Sequence, residues 1–395
     1  MRVDRHRVLF IGQIGVNDNY YIATGTAPLP HSRDVYGSDG ANKTPQSPKR
    51  HPVRRDLFVI ALIILVVLPT IPLSLTSLGP VGSGGGILGT VIAVLAVRTF
   101  GVGKGALVGL VAALTLSFAP LGLNYPALGT MLMVIIGAVC GLAAYEGKDG
   151  PFVMLGLFAG ITMIMPNPLT LDQVENGVTV TSDYVLVLTG LTLLSAVWGI
   201  LLGGLLLLKL PRAPVVPVQR DLAMTYGAAL ALLGGMAAAV ALTWFPNTAA
   251  GWVILTIYII IIPRAVGDTI VHQMRVKAIH RVAGTIGGVA IAGALAAALH
   301  NPIPLFLLGI IFLIVALELK VAGQPYWRYV IFLTPGVVFL TGYGMDADQF
   351  GVMRLVCTII GAAVSLVALE IIRRYPVPWI LRSRERDTAE LAELT

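Results

Sequence analysis

A chain of 395 residues that is 56% hydrophobic and only 12% charged cannot close a soluble surface, because an average soluble domain carries about 25% charged residues. Mean hydropathy is +0.85, and the apolar residues come in blocks near the ~20 residues that cross ~30 Å of hydrocarbon. The net charge of +7 does not point to nucleic acid, since the basic residues are scattered between apolar blocks, where membrane orientation accounts for them.

Water cannot satisfy backbone groups in lipid, so the blocks are helices or a closed barrel. A barrel needs alternation with period two, and runs such as Val185 to Leu208 show none. The expected class is an all-α polytopic membrane protein of about twelve transmembrane helices. The 44 glycines recur at spacings of four, as in Gly101, Gly105 and Gly109, Gly137 and Gly141, or Gly284 and Gly288. Small residues at that spacing let helix backbones approach closely in lipid.

Residues 1–55 are rich in Arg, Asn, Asp, Ser, Pro and Gly and read as a disordered cytoplasmic tail. The apolar run Val8 to Val16 is too short and too polar for a signal peptide. The collar Lys49 to Arg55 anchors the first span. The first membrane half, residues 56–210, is drawn as Leu57–Leu78, Gly86–Val97, Gly103–Leu121, Ala127–Tyr145, Phe152–Met165 and Tyr184–Leu208. A linker with Pro211, Pro214 and Pro217 follows at 211–221. The second half, 222–374, is drawn as Leu222–Trp244, Gly251–Pro263, Val282–Leu299, Pro304–Leu319, Tyr329–Tyr343 and Val352–Ile372. Residues 375–395 form a cytoplasmic tail.

With the N-terminus inside, the outer loops are Gly79–Gly85, Gly122–Pro126, Pro166–Asp183, Phe245–Ala250, His300–Ile303 and Gly344–Gly351, and none contains Lys or Arg. Every one of the 27 Lys and Arg residues except Arg354 falls in a tail, an inner loop or an inner helix end. That is the positive-inside rule, and it puts both termini in the cytoplasm. The halves also repeat: Leu57 and Leu222 stand 165 residues apart, Tyr184 and Val352 stand 168 apart, and the second and fifth spans are short in each. Two six-helix repeats of one orientation follow, related by an axis along the membrane normal, and short spans at matching ranks point to a substrate site at their interface.

Charge at membrane depth needs a reason, as it costs roughly 2.5–3.5 kcal/mol at a helix centre. Arg354 lies near the outer end of the last span, either as an anion-attracting group in a polar cavity or as a surface group snorkelling or pairing with Asp346 or Asp348. The stretch Pro263 to Gly288 holds Arg264, Asp268, His272, Arg275, Lys277, His280 and Arg281, and then Thr285. Lys277, Arg281 and Thr285 fall at helical spacing, so a guanidinium and a hydroxyl could flank an anion. The bland reading is an inner amphipathic helix that orients span nine. Asp268, His272 and His280 are candidate proton-coupling groups, and Glu318 with Lys320 suggests a local ion pair.

Soluble motifs fail on context. Gly84 to Gly89 satisfies G-x-G-x-x-G, but no βαβ unit surrounds it. Cys140 and Cys357 sit in apolar blocks and read as packing residues, with neither a disulfide nor a metal site between them. No catalytic constellation, metal site or cofactor motif appears, so no enzyme is expected.

The second half carries a set of residues that resembles a known family. Trp252 opens a short span that ends at Pro263. A polar stretch leads into Arg281-x-x-Gly284-Thr285-x-x-Gly288. Tyr326, Tyr329 and Thr334 follow, and then Arg354 and Gly361 in the last span. The set resembles the fusaric acid resistance protein-like (FUSC) family, which includes the aromatic acid exporters, over about Leu222 to Arg374. The resemblance implies export of small organic acids or other toxic compounds across the plasma (inner) membrane. On that basis Arg281, Thr285 and Arg354 are candidate contacts for an anionic substrate, with Trp252, Tyr326 and Tyr329 against its ring. The first half matches in span count but lacks the Arg-Gly-Thr element. Similar modules occur in plant aluminium-activated malate transporters, so a passive anion channel stays open beside a carrier, as does a non-transporting scaffold. The sequence leaves open a homo-oligomer in the bilayer.

Overall fold

The computed structural model describes residues 79–166, 178–207, 215, 217–262, 268–299, 302–321, 323–341 and 347–374. The expected N-terminal tail, first span, the first part of the linker (211–214, with 216) and the C-terminal tail lie outside the described residues. Among the described residues there is no strand. In chain order the helices are α1 (Gly79–Phe100), α2 (Val102–Phe118), a single turn α3 (Leu121–Asn124), α4 (Pro126–Tyr145), α5 (Gly150–Ile164), α6 (Ser182–Leu207), α7 (Arg220–Trp244), α8 (Gly251–Ile260), α9 (Asp268–Ala298), α10 (Pro302–Val321), α11 (Tyr326–Thr341) and α12 (Ala347–Arg374). Six segments, in α2–α3, α4, α6, α7, α9 and α12, are long and apolar enough to cross a membrane. Shorter apolar helices lie at Gly150–Ile164, Gly251–Ile260 and Tyr326–Leu340, and the apolar stretch Ile87–Phe100 is the later part of the 22-residue α1, so the second span of the first half is longer than expected.

Two boundaries differ from the sequence reading. The segment Gly79–Gly85, taken as an outer loop, belongs to α1, because at membrane depth a glycine-rich backbone has no water to turn to and keeps its helical bonds. The polar stretch before Val282 is not a separate entry segment either. It is continuous with span nine in the 31-residue α9.

Turns are set by backbone chemistry. Gly101 alone separates α1 from α2 at φ 83, a left-handed conformation that costs glycine little. Pro126 and Pro151 occupy first-turn positions of α4 and α5, where a missing N–H leaves no bond unmade. Helix α8 stops at Ile260, and Ile261 is extended, two residues before Pro263, whose ring would clash with the Ile259 carbonyl if the helix ran on.

Glycines fix which helices touch. A Cβ on Gly137 would run into the Ala231 nitrogen, and one on Gly141 would lie 2.6 Å from the Gly227 Cα, so α4 and α7 run antiparallel with backbones in contact. Gly156 faces Tyr258 and Gly160 faces Ile254, which makes α5 and α8 antiparallel. Gly284 against Val330 and Gly288 against Thr334 make α9 and α11 parallel. Gly89 against Thr192 and Gly203 against Val97 make α1 and α6 parallel. The main core, from Ile92 to Leu369, runs through both halves, while Leu107, Leu142, Leu186, Leu232 and Val367 face outward, as lipid-facing side chains do.

Candidate functional site

The site is built where α8, α9, α11 and α12 meet, and the small residues of the sequence element bring them together. Gly284 and Gly288 seat α11 on α9, with a Cβ on Gly288 falling 2.8 Å from the Ile331 carbonyl oxygen. That carbonyl has lost its helical donor, because Pro335 stands four residues on within α11 and carries no N–H. On the other side Gly361 seats α12 on α8, facing Val253 and Thr256. Trp252, one residue before Val253, is thereby brought level with Arg354, two turns before Gly361.

Arg354 is fully buried (0% exposed). Its guanidinium carbon stands 4.1 Å from the centroid of the Trp252 ring, a desolvated cation–π pair. Phe350, one turn earlier on α12, meets Trp252 edge-on at 6.5 Å. Arg354 Nη1 donates to the Thr334 carbonyl at 3.3 Å, while its Nε and Nη2 have no hydrogen-bond partner among the described residues. The Trp252 indole nitrogen and the Thr334 hydroxyl are likewise buried without one. Arg354 therefore neither snorkels nor reaches the surface. Asp346 lies outside the described residues.

Arg281, on α9, is 1% exposed. Its Nη1 donates to the Tyr326 hydroxyl at 3.4 Å, and its Nε has no partner among the described residues. Arg281 and Arg354 are close enough for their charges to interact. Lys277, one turn before Arg281 and equally buried, holds its ammonium 5.7 Å from the Tyr326 ring centroid. Tyr326 and Tyr329 pair at 5.8 Å between centroids, and Lys320 lies over Tyr329 at 5.2 Å. Among the described residues neither guanidinium has a carboxylate partner.

The six expected site residues thus converge on one region. Thr285 enters it differently from the others: its hydroxyl donates to the Arg281 carbonyl one turn back at 2.8 Å, so that proton is used within the helix and only acceptor capacity remains. Thr358 does the same toward the Arg354 carbonyl. The sequence reading missed Lys277, Phe350 and Thr358 as members of the site. Lys277 and Phe350 each stand four residues before an expected arginine, and that spacing was the available signal. Of the expected proton-coupling groups, His272 is exposed and His280 half-buried, and the Asp268 side chain is not among those described. Arg275 approaches Glu370 at 3.9 Å, and Glu370 also accepts from Arg374 at 2.9 Å, a surface tie between α9 and α12. Glu318 is exposed. Cys140 and Cys357 are free thiols, both buried.

The matching place in the first half is filled. Gly199 seats α6 on α1 at the Thr90 carbonyl, as Gly361 seats α12 on α8 at the Val253 carbonyl. Seven residues before Gly199 stands Thr192, where Arg354 stands before Gly361. The residue before Thr90 is Gly89, where Trp252 stands before Val253. A Cβ on Gly89 would lie 2.7 Å from the Thr192 carbonyl. Thr192 shares a hydrogen bond with Ser117 and donates to the Leu188 carbonyl, and Thr90 donates to the Ser195 carbonyl. A closed set of hydroxyl bonds occupies the space that a ring and a guanidinium take in the second half.

Comparison with known proteins agrees with this division. Residues 236–368 match the family model described as fusaric acid resistance protein-like, a stretch that holds every residue of the site and nothing of the first half. No curated protein and no solved structure gives a match. The family suggests membrane transport of small compounds, and its members are transporters and not enzymes. The stretch from within α7 to within α12 is thus similar to the fusaric acid resistance protein-like family.

Proposed function

We propose that this chain exports small organic acid anions, aromatic carboxylates among them, across the plasma (inner) membrane, with both termini in the cytoplasm. The observation that carries the reading is a pair of buried guanidiniums, Arg281 and Arg354, with undonated N–H groups beside aromatic rings and no carboxylate partner among the described residues. Buried charge is ordinarily paired. A group that keeps donors free in a ring-lined space is arranged for a ligand that brings the negative charge, and a carboxylate suits the planar guanidinium fork. In this arrangement Trp252 orients Arg354, Tyr326 orients Arg281, Tyr329 extends the aromatic wall, and Thr285 offers an acceptor.

Twelve passes arranged as two parallel six-helix repeats fit the contacts. Helices α1 and α6 pair in parallel as α8 and α12 do. The seam between halves, α5 on α8, has its counterpart in α11 on α1. The direction of every glycine-marked pair agrees with strict alternation of passes, and the distribution of Lys and Arg supports the inward termini.

The test is counterflow of labelled benzoate in vesicles reconstituted with the full chain, beside Arg281→Gln and Arg354→Gln. Wild-type protein accumulates label, and each variant loses at least about tenfold of the rate while remaining folded. Absence of anion movement by the wild type across a panel of acids overturns the proposal. Unitary currents in planar bilayers would replace the carrier with a channel. Deleting the gene should raise sensitivity to the same acids, and unchanged sensitivity would count against export.

A further inference from the structure

Thr334 breaks a rule that the rest of the described chain keeps. Every other buried serine and threonine among the described residues donates its hydroxyl to a backbone carbonyl, the usual use of such a proton in a helix. Thr334 is 0% exposed, and its hydroxyl has no hydrogen-bond partner among the described residues. An acceptor stands close by in sequence. The Ile331 carbonyl, three residues back, lacks its helical donor because Pro335 lies within α11 and has no N–H. Threonines elsewhere do reach the carbonyl three residues back, as Thr162 does toward Ala159 and Thr192 toward Thr189. Packing on α9 keeps Thr334 from doing so. A Cβ on Gly288 would run into the Thr334 Cβ, and would lie 3.0 Å from its Cγ2 methyl and 2.8 Å from the Ile331 carbonyl oxygen. The methyl, not the hydroxyl, therefore takes the side of α11 that carries this carbonyl. Valine would fill that contact as well and would avoid the cost of an unmet buried hydroxyl.

The free hydroxyl adjoins a free edge of Arg354. Arg354 Nη1 donates to the carbonyl of Thr334 itself at 3.3 Å. The donors that Arg354 keeps unused are Nε and Nη2, which form the side edge of the guanidinium, and that edge takes a carboxylate through two parallel bonds. An ionised carboxylate has about four acceptor sites, so a group seated there has acceptor capacity left after Arg354 is served.

We infer that Thr334 is a substrate-binding residue: its hydroxyl donates to the carboxylate seated on the side edge of Arg354, and Gly288 sets the side-chain rotamer that keeps this proton available. The inference rests on the anion reading of the same site and deepens it. Charge alone attracts any anion, whereas a second donor beside the guanidinium edge favours an acceptor-only carboxylate over an amide of the same shape, whose nitrogen carries hydrogens.

The experiment uses the purified full-length chain in nanodiscs of zwitterionic lipid and reads the ligand dependence of thermal unfolding for benzoate and neutral benzamide. Thr334→Val should unfold, without ligand, at or above the wild-type temperature, because it removes an unmet hydroxyl. It should bind benzoate about tenfold or more weakly. Thr334→Ser and Thr334→Ala differ from each other only by the hydroxyl, and they decide the matter if the valine variant is not recovered folded: serine should bind benzoate about tenfold more tightly than alanine. Infrared difference spectra of carboxyl-labelled benzoate add a readout that a structural role would not move, since the carboxylate stretch should shift between wild type and Thr334→Val. Benzoate binding by Thr334→Val at wild-type strength, or equal binding by the serine and alanine variants, overturns the inference while the anion site stands. Weaker binding together with a lowered ligand-free unfolding temperature and an unshifted carboxylate band assigns the hydroxyl to structure and overturns it too. If the wild type binds no benzoate, or binds benzamide equally well, the anion reading falls and this inference with it.

Discussion

Replacing Arg354 by Met should cost the empty protein almost nothing and cost it its ligand. Holding a guanidinium at membrane depth is unfavourable by roughly 2.5–3.5 kcal/mol. Against this stand the stacking on Trp252 at 4.1 Å, worth about 2 kcal/mol when desolvated, and the bond to the Thr334 carbonyl at 3.3 Å, worth about 1.5 kcal/mol at that length. The terms cancel to within about 1 kcal/mol, and Met fills most of the vacated volume against Trp252 without strain. Thermal unfolding in nanodiscs should therefore place Arg354→Met within about 1 kcal/mol of wild type without ligand. With ligand at a hundred times its Kd the wild type gains about 2.7 kcal/mol, and the variant should gain none. An arginine serving a structural ion pair behaves differently, because removing one member of a buried pair costs about 3–5 kcal/mol. A loss of that size in the ligand-free variant would refute the view that this charge awaits an incoming partner.

Further predictions follow from the same geometry. Trp252→Phe should keep the cation–π contact at reduced strength and retain measurable transport, whereas Trp252→Ala should abolish it and also lose stability by about 3 kcal/mol or more, as read by unfolding midpoint beside counterflow. Gly141→Leu, with the Gly227 Cα 2.6 Å from the new Cβ, should separate α4 from α7 and prevent recovery of folded protein on size exclusion. By contrast Gly190→Ala, in α6 with nothing within 4 Å, should raise stability by about 0.5–1 kcal/mol through helix propensity. Cysteine introduced at Thr334 should react with a charged aqueous thiol reagent and be protected by bound acid, while cysteine at Thr192 should stay unreactive. Reaction at 192 and silence at 334 would invert the assignment of open and closed halves.

How much of this was legible in the sequence depends on which force decides each feature. Helix positions were readable because lipid forces every backbone group into a helical bond, so an apolar run near the bilayer thickness leaves few choices. The same force misled at Gly79–Gly85, where glycine chemistry that signals a loop in water signals nothing in hydrocarbon. The glycine spacings announced close helix contacts but not their partners: nothing local says that Gly284 meets Val330 or that Gly361 meets Thr256. Partner choice decides the site. Lys277 reads as one more inner-face cation until α11 is laid over that face of α9, and Arg354 reads equally well as a surface anchor until α8 brings Trp252 beneath it. The Thr285 hydroxyl was expected to face a ligand as a donor, and the helix backbone, always within reach of a threonine, takes its proton first.

The bonds around Thr192 have a geometric consequence for anything that crosses. Two matched halves normally invite a path along the axis that relates them, where each contributes alike. Here one half buries charges against aromatic rings, while the other is stitched with hydroxyl bonds and has a glycine where the ring would be. On the transport reading, the route is off-axis, walled by α8, α9, α11 and α12 and backed by an inert flank. A blocker designed for it has no reason to be symmetric, and a single molecule per chain should saturate it.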